Sequence, residues 1–150
     1  MMKLTKNHIL WLVLALLILI QLIPVDRTNP PVTGEITADP AVMDIIKRSC
    51  YDCHSNETHW PWYAHAAPVS FFIAHDVEEG REHLNFSTWS GYTGEKQRNL
   101  VTELLEEVEQ GEMPLGMYTV LHSEAALSET DVQTLKSWAQ KAFGVTGDEY

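Results

Sequence analysis

Residues 39–54 read DPAVMDIIKRSCYDCH, and this stretch decides the fold class. Asp39 is a favourable helix N-cap, and Pro40 suits the first helical turn. The apolar residues that follow have the spacing of one helical face: Val42, Ile45 and Ile46. The predicted helix runs directly into two cysteines and a histidine, so a chemically distinctive motif is placed on a rigid helical element.

The motif itself is Cys50-Tyr51-Asp52-Cys53-His54, which has the C-x-x-C-H form of covalent haem attachment. Two thiols one helical turn apart can add across the two vinyl groups of one porphyrin edge. The next residue can then direct its imidazole at the iron. The motif predicts one covalent haem c on Cys50 and Cys53, with His54 as the proximal iron ligand.

Three other interpretations of the cysteine pair are weaker. A thioredoxin-type redox pair normally lies in a βαβ pattern, which does not surround these cysteines. A zinc site could use Cys50, Cys53, His59 and His65, but its ligand spacing is much shorter than that of the usual two-Cys, two-His fingers. Two inert buried thiols are unexpected in an exported chain, where thiols oxidise.

Three further helices are predicted from apolar residues at helical spacing. The second begins near Pro68 and has as its apolar face Val69, Phe72, Ile73 and Val77. The third ends at Gly111 and has as its apolar face Leu100, Val101, Leu104, Leu105 and Val108. The fourth begins at Ser128, with Asp131 completing a capping box, and ends at Gly144. No segment reads as a convincing strand, so the predicted fold is all-α.

The N-terminus contains an apolar run from Ile9 to Ile20, preceded by lysines and interrupted by Gln21. Its length falls between a membrane span and a signal-peptide core. No small-x-small cleavage site follows, which favours an uncleaved anchor. The predicted organisation is a signal anchor or transmembrane segment over residues 1–25, a Pro-rich tether over 26–39, a small cytochrome c-like haem-binding domain over 40–144 and a tail over 145–150.

The charge balance limits the class of partner. The chain has 21 acidic residues against 10 Lys plus Arg, and a formal net charge of -11. Such a surface argues against nucleic-acid binding and suits redox partners with a basic docking surface. Because lysines that precede an apolar run stay on the cytoplasmic side, we expect a single-pass protein of the cytoplasmic membrane with its haem domain on the periplasmic or extracytoplasmic side.

Several motifs resemble a known family. They are the run from Cys50 to Thr58, Trp60-Pro-Trp-Tyr63, Asn85-Phe-Ser87, Gly111-Glu-Met-Pro114, and Tyr118 with His122, Ala125 and Leu127-Ser128. Together they span residues 38–142 and resemble the bacterial haem-binding-domain family of short cytochrome-like proteins. The resemblance implies covalent haem and electron transfer, and a general plan similar to that of a small cytochrome c.

The second axial ligand is predicted to be Met113. It follows the helix stop at Gly111 and precedes Pro114, and cytochromes c have a similar Met-Pro between C-x-x-C-H and the last helix. A thioether ligand raises the reduction potential, which suits an electron carrier. The alternatives are His83, His122, Met117 or an open distal face.

The sequence therefore predicts a membrane-anchored one-electron carrier and not an enzyme. The alternative is a haem-based sensor or a small peroxidase with an open distal site, where His83 or His122 would act as the distal acid–base group. Two lesser expectations are that Trp60-Pro61-Trp62 walls the haem edge and that Arg81 either pairs with a propionate or is a surface arginine.

Overall fold

The computed structural model describes residues 5–146. Residues 1–4 of the predicted anchor and residues 147–150 of the predicted tail lie outside this range. The described chain contains seven α-helices: α1 Lys6–Leu19, α2 Pro40–Ser49, α3 Tyr51–His54, α4 Val69–His83, α5 Gly94–Gln110, α6 Gly116–Leu121 and α7 Glu129–Phe143. Short 3-10 turns lie at Ile20–Leu22, Trp62–His65, Phe86–Gly91 and Ser123–Ala125. No strand occurs among the described residues, which confirms the all-α prediction.

The helix ends follow local chemistry. Pro40 is the first residue of α2, directly after Asp39. The Ser128 side chain accepts a hydrogen bond from the Asp131 amide, and the Ser128 amide donates one to the Asp131 carboxylate. These two bonds form the predicted capping box of α7. Gly111 and Gly144 end their helices at φ 74° and 67°, a left-handed conformation that other residues rarely adopt.

The core lies where α2, α5 and α7 meet. Its most completely buried side chains are Ile46, Phe86, Val101, Leu105 and Leu135. The predicted faces of α2, α5 and α7 supply most of it. Phe86, from the 3-10 turn before α5, stacks on Tyr51 with ring centroids 5.7 Å apart. Because Tyr51 belongs to the C-x-x-C-H motif, the core directly supports the motif.

The predicted apolar face of α4 is confirmed at Val77 and wrong at Val69 and Phe72. Val69 and Phe72 are exposed, and the buried residues of this helix are Ser70, Val77 and Gly80. The helix turns its small residues inward because it packs closely against α3. Apolar spacing alone identified Val77 as buried but placed Val69 and Phe72 on the buried face in error.

The N-terminal helix is shorter than the predicted transmembrane segment. Helix α1 has 14 residues, about 21 Å at the usual rise, whereas a span needs ~20 apolar residues. The 3-10 turn Ile20–Leu22 interrupts the regular helix at Gln21. Among residues 5–146, no helix is both long and apolar enough to cross a membrane, so the predicted transmembrane helix is not found there.

Residues 26–39 contain no helix and lie along the domain. The Thr33 and Gly34 amides donate to the Ser87 carbonyl, each at 3.0 Å. Ile36 is buried in the core with 3% of its surface exposed. Arg81 binds this segment from the other side, through the Thr28 carbonyl at 3.0 Å. The segment is therefore extended but fastened to the helices.

Candidate functional site

A cleft of about 520 Å³ opens between α3, α4, α5 and the segment that follows α5. Its volume lies in the range of small-molecule and cofactor sites. Four of the predicted site residues line it: Cys50, Cys53, His54 and Met113. The fold thus brings together residues that are up to about sixty positions apart in the sequence.

The two cysteines lie at one edge of the cleft. Cys50 is the residue between α2 and α3, and Cys53 lies in α3 one turn later. Burial raises the pKa of both thiols to about 12, with the neighbouring Cys53 adding to the shift of Cys50 and Asp52 to that of Cys53. Both sulfurs are therefore protonated at neutral pH.

His54 is oriented by main-chain carbonyls. Its Nδ1 donates to the Gly80 carbonyl at 2.9 Å and lies 3.1 Å from that of Leu84. Since a carbonyl can only accept, Nδ1 carries the proton and Nε2 keeps its lone pair. Burial lowers the pKa of His54, which also favours the neutral ring. A neutral imidazole with its other nitrogen fixed by a carbonyl is the usual arrangement of a metal-binding histidine.

Gly80 is the point of closest approach between α4 and α3. A Cβ built at this position would lie 2.8 Å from the Cys53 carbonyl oxygen and 3.2 Å from its Cβ. Only glycine fits there without moving the backbone that carries the second cysteine. The Gly80 carbonyl also accepts the bond from His54, so this residue positions two members of the motif.

Met113 lines the cleft and belongs to the segment that follows α5. Gly111 ends α5, and the Met113 amide donates to the Glu107 carbonyl at 3.1 Å, which turns the chain back over the helix. Its side chain is half-buried against the core cluster. The local signal that predicted this residue, a glycine stop followed by Met-Pro, matches the turn that the structure contains.

The alternative distal ligands occupy different places. Met117 is 84% exposed and does not line the cleft, so its position does not support a ligand role. His122 lies outside the cleft, where it bonds the Tyr63 hydroxyl at 2.6 Å. His83 is exposed but does line the cleft. Met113 and His83 therefore remain as the candidates within reach of a bound cofactor.

A polar network that the sequence did not predict joins the motif to α6. The Tyr118 hydroxyl donates to Asp52 at 2.7 Å, and Asp52 also accepts from the His59 amide at 3.0 Å. Tyr118 stacks on His122, with ring centroids 4.4 Å apart. Burial and the Asp52 contact raise the pKa of Tyr118, which keeps its hydroxyl protonated. The one sequence signal for this network is Asp52, a charged residue between the two cysteines that needs a polar partner when it is partly buried.

One of the two lesser expectations is wrong, and the other is not tested. Trp62 is 82% exposed, and Trp60 lines a second cavity between the N-terminal segment and α4. Neither ring lines the cleft. Arg81 donates to the Ser55 carbonyl at 2.8 Å and to Thr58 at 2.9 Å, in addition to the N-terminal segment. Its guanidinium, which is partly exposed, thus fastens the chain after the motif and does not line the cleft.

No group of three or more His, Cys, Asp or Glu residues that could hold a metal ion occurs within residues 5–146. In particular, His59 is 94% exposed and lies 3.5 Å from Asp52. The zinc site considered from the sequence is therefore not formed in the described chain.

The cleft is acidic at its rim. Six carboxylate side chains line it: Asp52, Asp76, Glu79, Glu103, Glu106 and Glu107. Among the described lining residues, none is lysine or arginine. Burial raises the pKa of Asp76, with Glu79 adding to the shift. The surface around the opening is therefore strongly negative.

The site residues fit a haem. The cleft is largely apolar, two protonated thiols lie at one edge, and a neutral imidazole nitrogen is available beside them. Comparison with known proteins agrees: the family model described as a haem-binding domain matches residues 15–141. No curated protein and no solved structure matches the chain.

Proposed function

The chain belongs to the haem-binding-domain family, and on that premise we propose that it is a mono-haem c-type cytochrome that transfers single electrons. One observation carries the proposal: Cys50, Cys53, His54 and Met113 line the same cleft. When bound, the haem supplies an iron that cycles between two oxidation states. The protein's part is to hold it, to exclude water and to tune its potential.

Cys50 and Cys53 would hold the haem c covalently. Each S–H bond adds across one vinyl double bond, so that the sulfur bonds to one carbon and the hydrogen to the other, and no oxidant is consumed. The high pKa of both thiols keeps them in the protonated form before attachment.

His54 and Met113 would ligate the iron of a bound haem, since both line the cleft. The Nε2 lone pair of His54 is available because Nδ1 is engaged by main-chain carbonyls. A Met113 thioether ligand would favour the ferrous state and so raise the potential, and an iron held by both residues would offer no free position for substrate chemistry. This combination supports an electron carrier and not an enzyme.

The first experiment is an absorption spectrum of the full chain, produced in cells competent for cytochrome c maturation and measured after denaturing extraction. We expect haem to stay on the chain, and a Cys50→Ala/Cys53→Ala variant to lose it. Haem that is extracted from the unsubstituted chain would contradict covalent attachment.

Substitution of Met113 tests the distal ligand. Met113→Ala should abolish the far-red sulfur-to-iron band of the ferric protein and allow carbon monoxide to bind the ferrous form. His83→Ala is the matched control because it lines the same cleft, and it should leave both properties unchanged.

A haem sensor or small peroxidase is the second candidate, and the presence of His83 in the cleft favours it. In that case the unsubstituted protein would bind carbon monoxide, and His83→Ala would alter its kinetics or remove peroxidase activity. Unchanged behaviour of both variants would contradict either distal assignment.

The acidic rim supports a redox partner with a basic docking surface. Small metal complexes can probe this: electron exchange should be faster with cationic hexaammineruthenium than with anionic hexacyanoferrate, and the difference should shrink with salt. Glu103→Lys/Glu107→Lys should reduce the preference, because four carboxylates of the lining would then face two lysines. Glu78→Lys/Glu82→Lys, which alters the second cavity, is the control with the same charge change.

We also propose that the apolar α1 associates with a membrane and that the haem domain is extracytoplasmic. Lys6 at the start of α1 and the exposed apolar residues along it support this placement. Protease added to intact spheroplasts should digest the haem domain. Protection until the spheroplasts are lysed would contradict the placement.

A further inference from the structure

We propose that the haem domain rests with one end on a zwitterionic lipid surface, through a patch formed by Trp62, Val69 and Phe72, and that Gln21 holds it in that orientation. We call these three residues the Trp62 patch. The inference rests on the proposed membrane association of α1 and adds how the domain is oriented.

The Trp62 patch is apolar and exposed. Trp62, Phe72 and Val69 have 82%, 64% and 45% of their surface exposed. Val69 and Phe72 are three residues apart in α4, so they lie on one face of the helix. Trp62 begins the 3-10 turn Trp62–His65, which packs against α4. Clustered apolar residues of this size on a surface mark a site of contact with a partner or a membrane.

Gln21 joins the end of the apolar N-terminal helix to this patch. Its Nε2 donates to the Ala67 carbonyl and its Oε1 accepts from the Ala67 amide, both at 3.0 Å. The same Nε2 lies 3.0 Å from the Leu17 carbonyl of α1. Since Ala67 precedes Val69 by two residues, the end of α1 is fixed beside the patch.

The properties of α1 identify lipid as the occupant. Its apolar side chains are exposed around the whole helix, including Leu10 at 57%, Trp11 at 69% and Ile18 at 66%. A helix that is apolar on every side requires a non-aqueous environment. The lipid that surrounds the end of α1 must also reach the adjoining patch. Tryptophan, such as Trp62, is favoured at the interface between lipid and water.

The charge of the chain selects the kind of lipid. A net charge of -11 is repelled by anionic headgroups, so a zwitterionic surface such as phosphatidylcholine is the expected contact. The acidic rim of the cleft lies on different residues from the patch, and the two surfaces can be used at the same time.

A spin label tests the orientation in the full, haem-loaded chain in phosphatidylcholine nanodiscs. Ala66→Cys places the label beside the patch and leaves its three residues intact, whereas Gln133→Cys places it on exposed α7 as the control. We expect the label at 66 to collide several-fold less with an aqueous nickel complex, and more with oxygen, than the label at 133. Equal accessibility of the two labels, or a chain that does not enter the nanodiscs, would overturn the inference.

Two further variants separate the causes. Gln21→Ala and, independently, Trp62→Ser/Phe72→Ser should raise the nickel accessibility of the label at 66 towards that at 133. If the nickel accessibility of the label at 66 stays the same in one of these variants, the role assigned to the residues substituted in it is refuted. Spin–spin broadening between labels at 66 would instead identify a second copy of the chain on the patch, which also overturns the inference.

The chain without an introduced cysteine separates this inference from the proposed function. Covalent haem consumes both native thiols, so this chain should take up no label. Label uptake would contradict the thioether linkages. In that case the label at position 66 can be measured in a chain that also carries Cys50→Ala/Cys53→Ala, and its accessibility would still report the orientation.

Discussion

The two sides of the cleft are built in different ways. The attachment side consists of α3 packed on α4, with His54 bonded to main-chain carbonyls and Gly80 allowing the backbones to touch. The distal side consists of the chain after α5, where the Tyr118 hydroxyl reaches across to Asp52. One side is fixed by helical backbone and the other largely by side-chain contacts over long sequence separations.

This difference suits the two proposed roles. A covalently attached edge and its histidine need a geometry that is set before the cofactor arrives. A thioether ligand can come from a segment that closes afterwards, because its main requirement is to reach the iron. We therefore expect substitutions on the attachment side to affect folding and haem attachment, and those on the distal side to affect local opening.

Gly80→Ala should have the largest effect and break the attachment side. The added methyl would lie 2.8 Å from the Cys53 carbonyl oxygen, so the backbone must move. Overpacking of this kind costs about 1–3 kcal/mol of the free energy of unfolding. Urea unfolding and the yield of covalent haem are the measurements. Gly94→Ala, which has no atom within 4 Å of the added Cβ, is the control and should leave both values near those of the original chain.

Tyr118→Phe should have a smaller effect and loosen only the distal side. It removes one part-buried hydrogen bond to a carboxylate, and we expect a cost near the lower end of the range of about 1.5–3 kcal/mol for a bond to a charged group. We expect faster amide hydrogen exchange in α6 and unchanged exchange in α3 and α4. Thr119→Ala, which loses only a bond to Gly116 within the same helix, is the control. Equal acceleration in α4 would show that the two sides open together and would contradict the distinction drawn here.

The smallest expected effect concerns the start of α7, which follows the distal segment. Hydrogen bonds from Ser128 and then from Arg48 lower the pKa of Asp131 to about 2. Because this value lies below that of an unfolded chain, the carboxylate stabilises the fold above about pH 4, and its contribution is lost as the pH falls towards 2.

Comparison with Asp131→Asn checks this sign. The original chain should be more stable by about 1 kcal/mol or less at pH 7, as for other N-terminal caps. The difference should disappear at the acid end of the titration. Asp44→Asn is the control, since that carboxylate is 79% exposed and 3.8 Å from Arg48. A difference that grows on acidification would refute the assignment.

Local sequence predicted most of the attachment side and the helices that support it. Caps and stops such as Pro40, Gly111 and Ser128 act within a few residues, so their structural outcome is visible in the sequence. The C-x-x-C-H spacing likewise carries its own geometry. The cleft position of Met113 was suggested by a short turn signal of the same kind.

The parts that sequence did not predict depend on contacts between distant residues. The inward face of α4 is set by the approach of Gly80 to Cys53, not by the apolar spacing of Val69 and Phe72. The bond between Tyr118 and Asp52 spans 66 positions and has no local pattern. Gln21 looked like an interruption of the apolar run, and only the fold shows that it binds Ala67.

The fastening of residues 26–39 limits how far the cofactor could travel. A free coil of this length would have an end-to-end distance of about 20 Å, and the domain could move by that much relative to the N-terminal helix. Here Arg81 binds the segment near its start, at Thr28, and the Ser87 carbonyl binds it at Thr33 and Gly34, so the segment is not a free coil. Under the proposed membrane association and electron transfer, the haem would stay at a nearly constant distance from the membrane, and a redox partner would have to approach it at that distance.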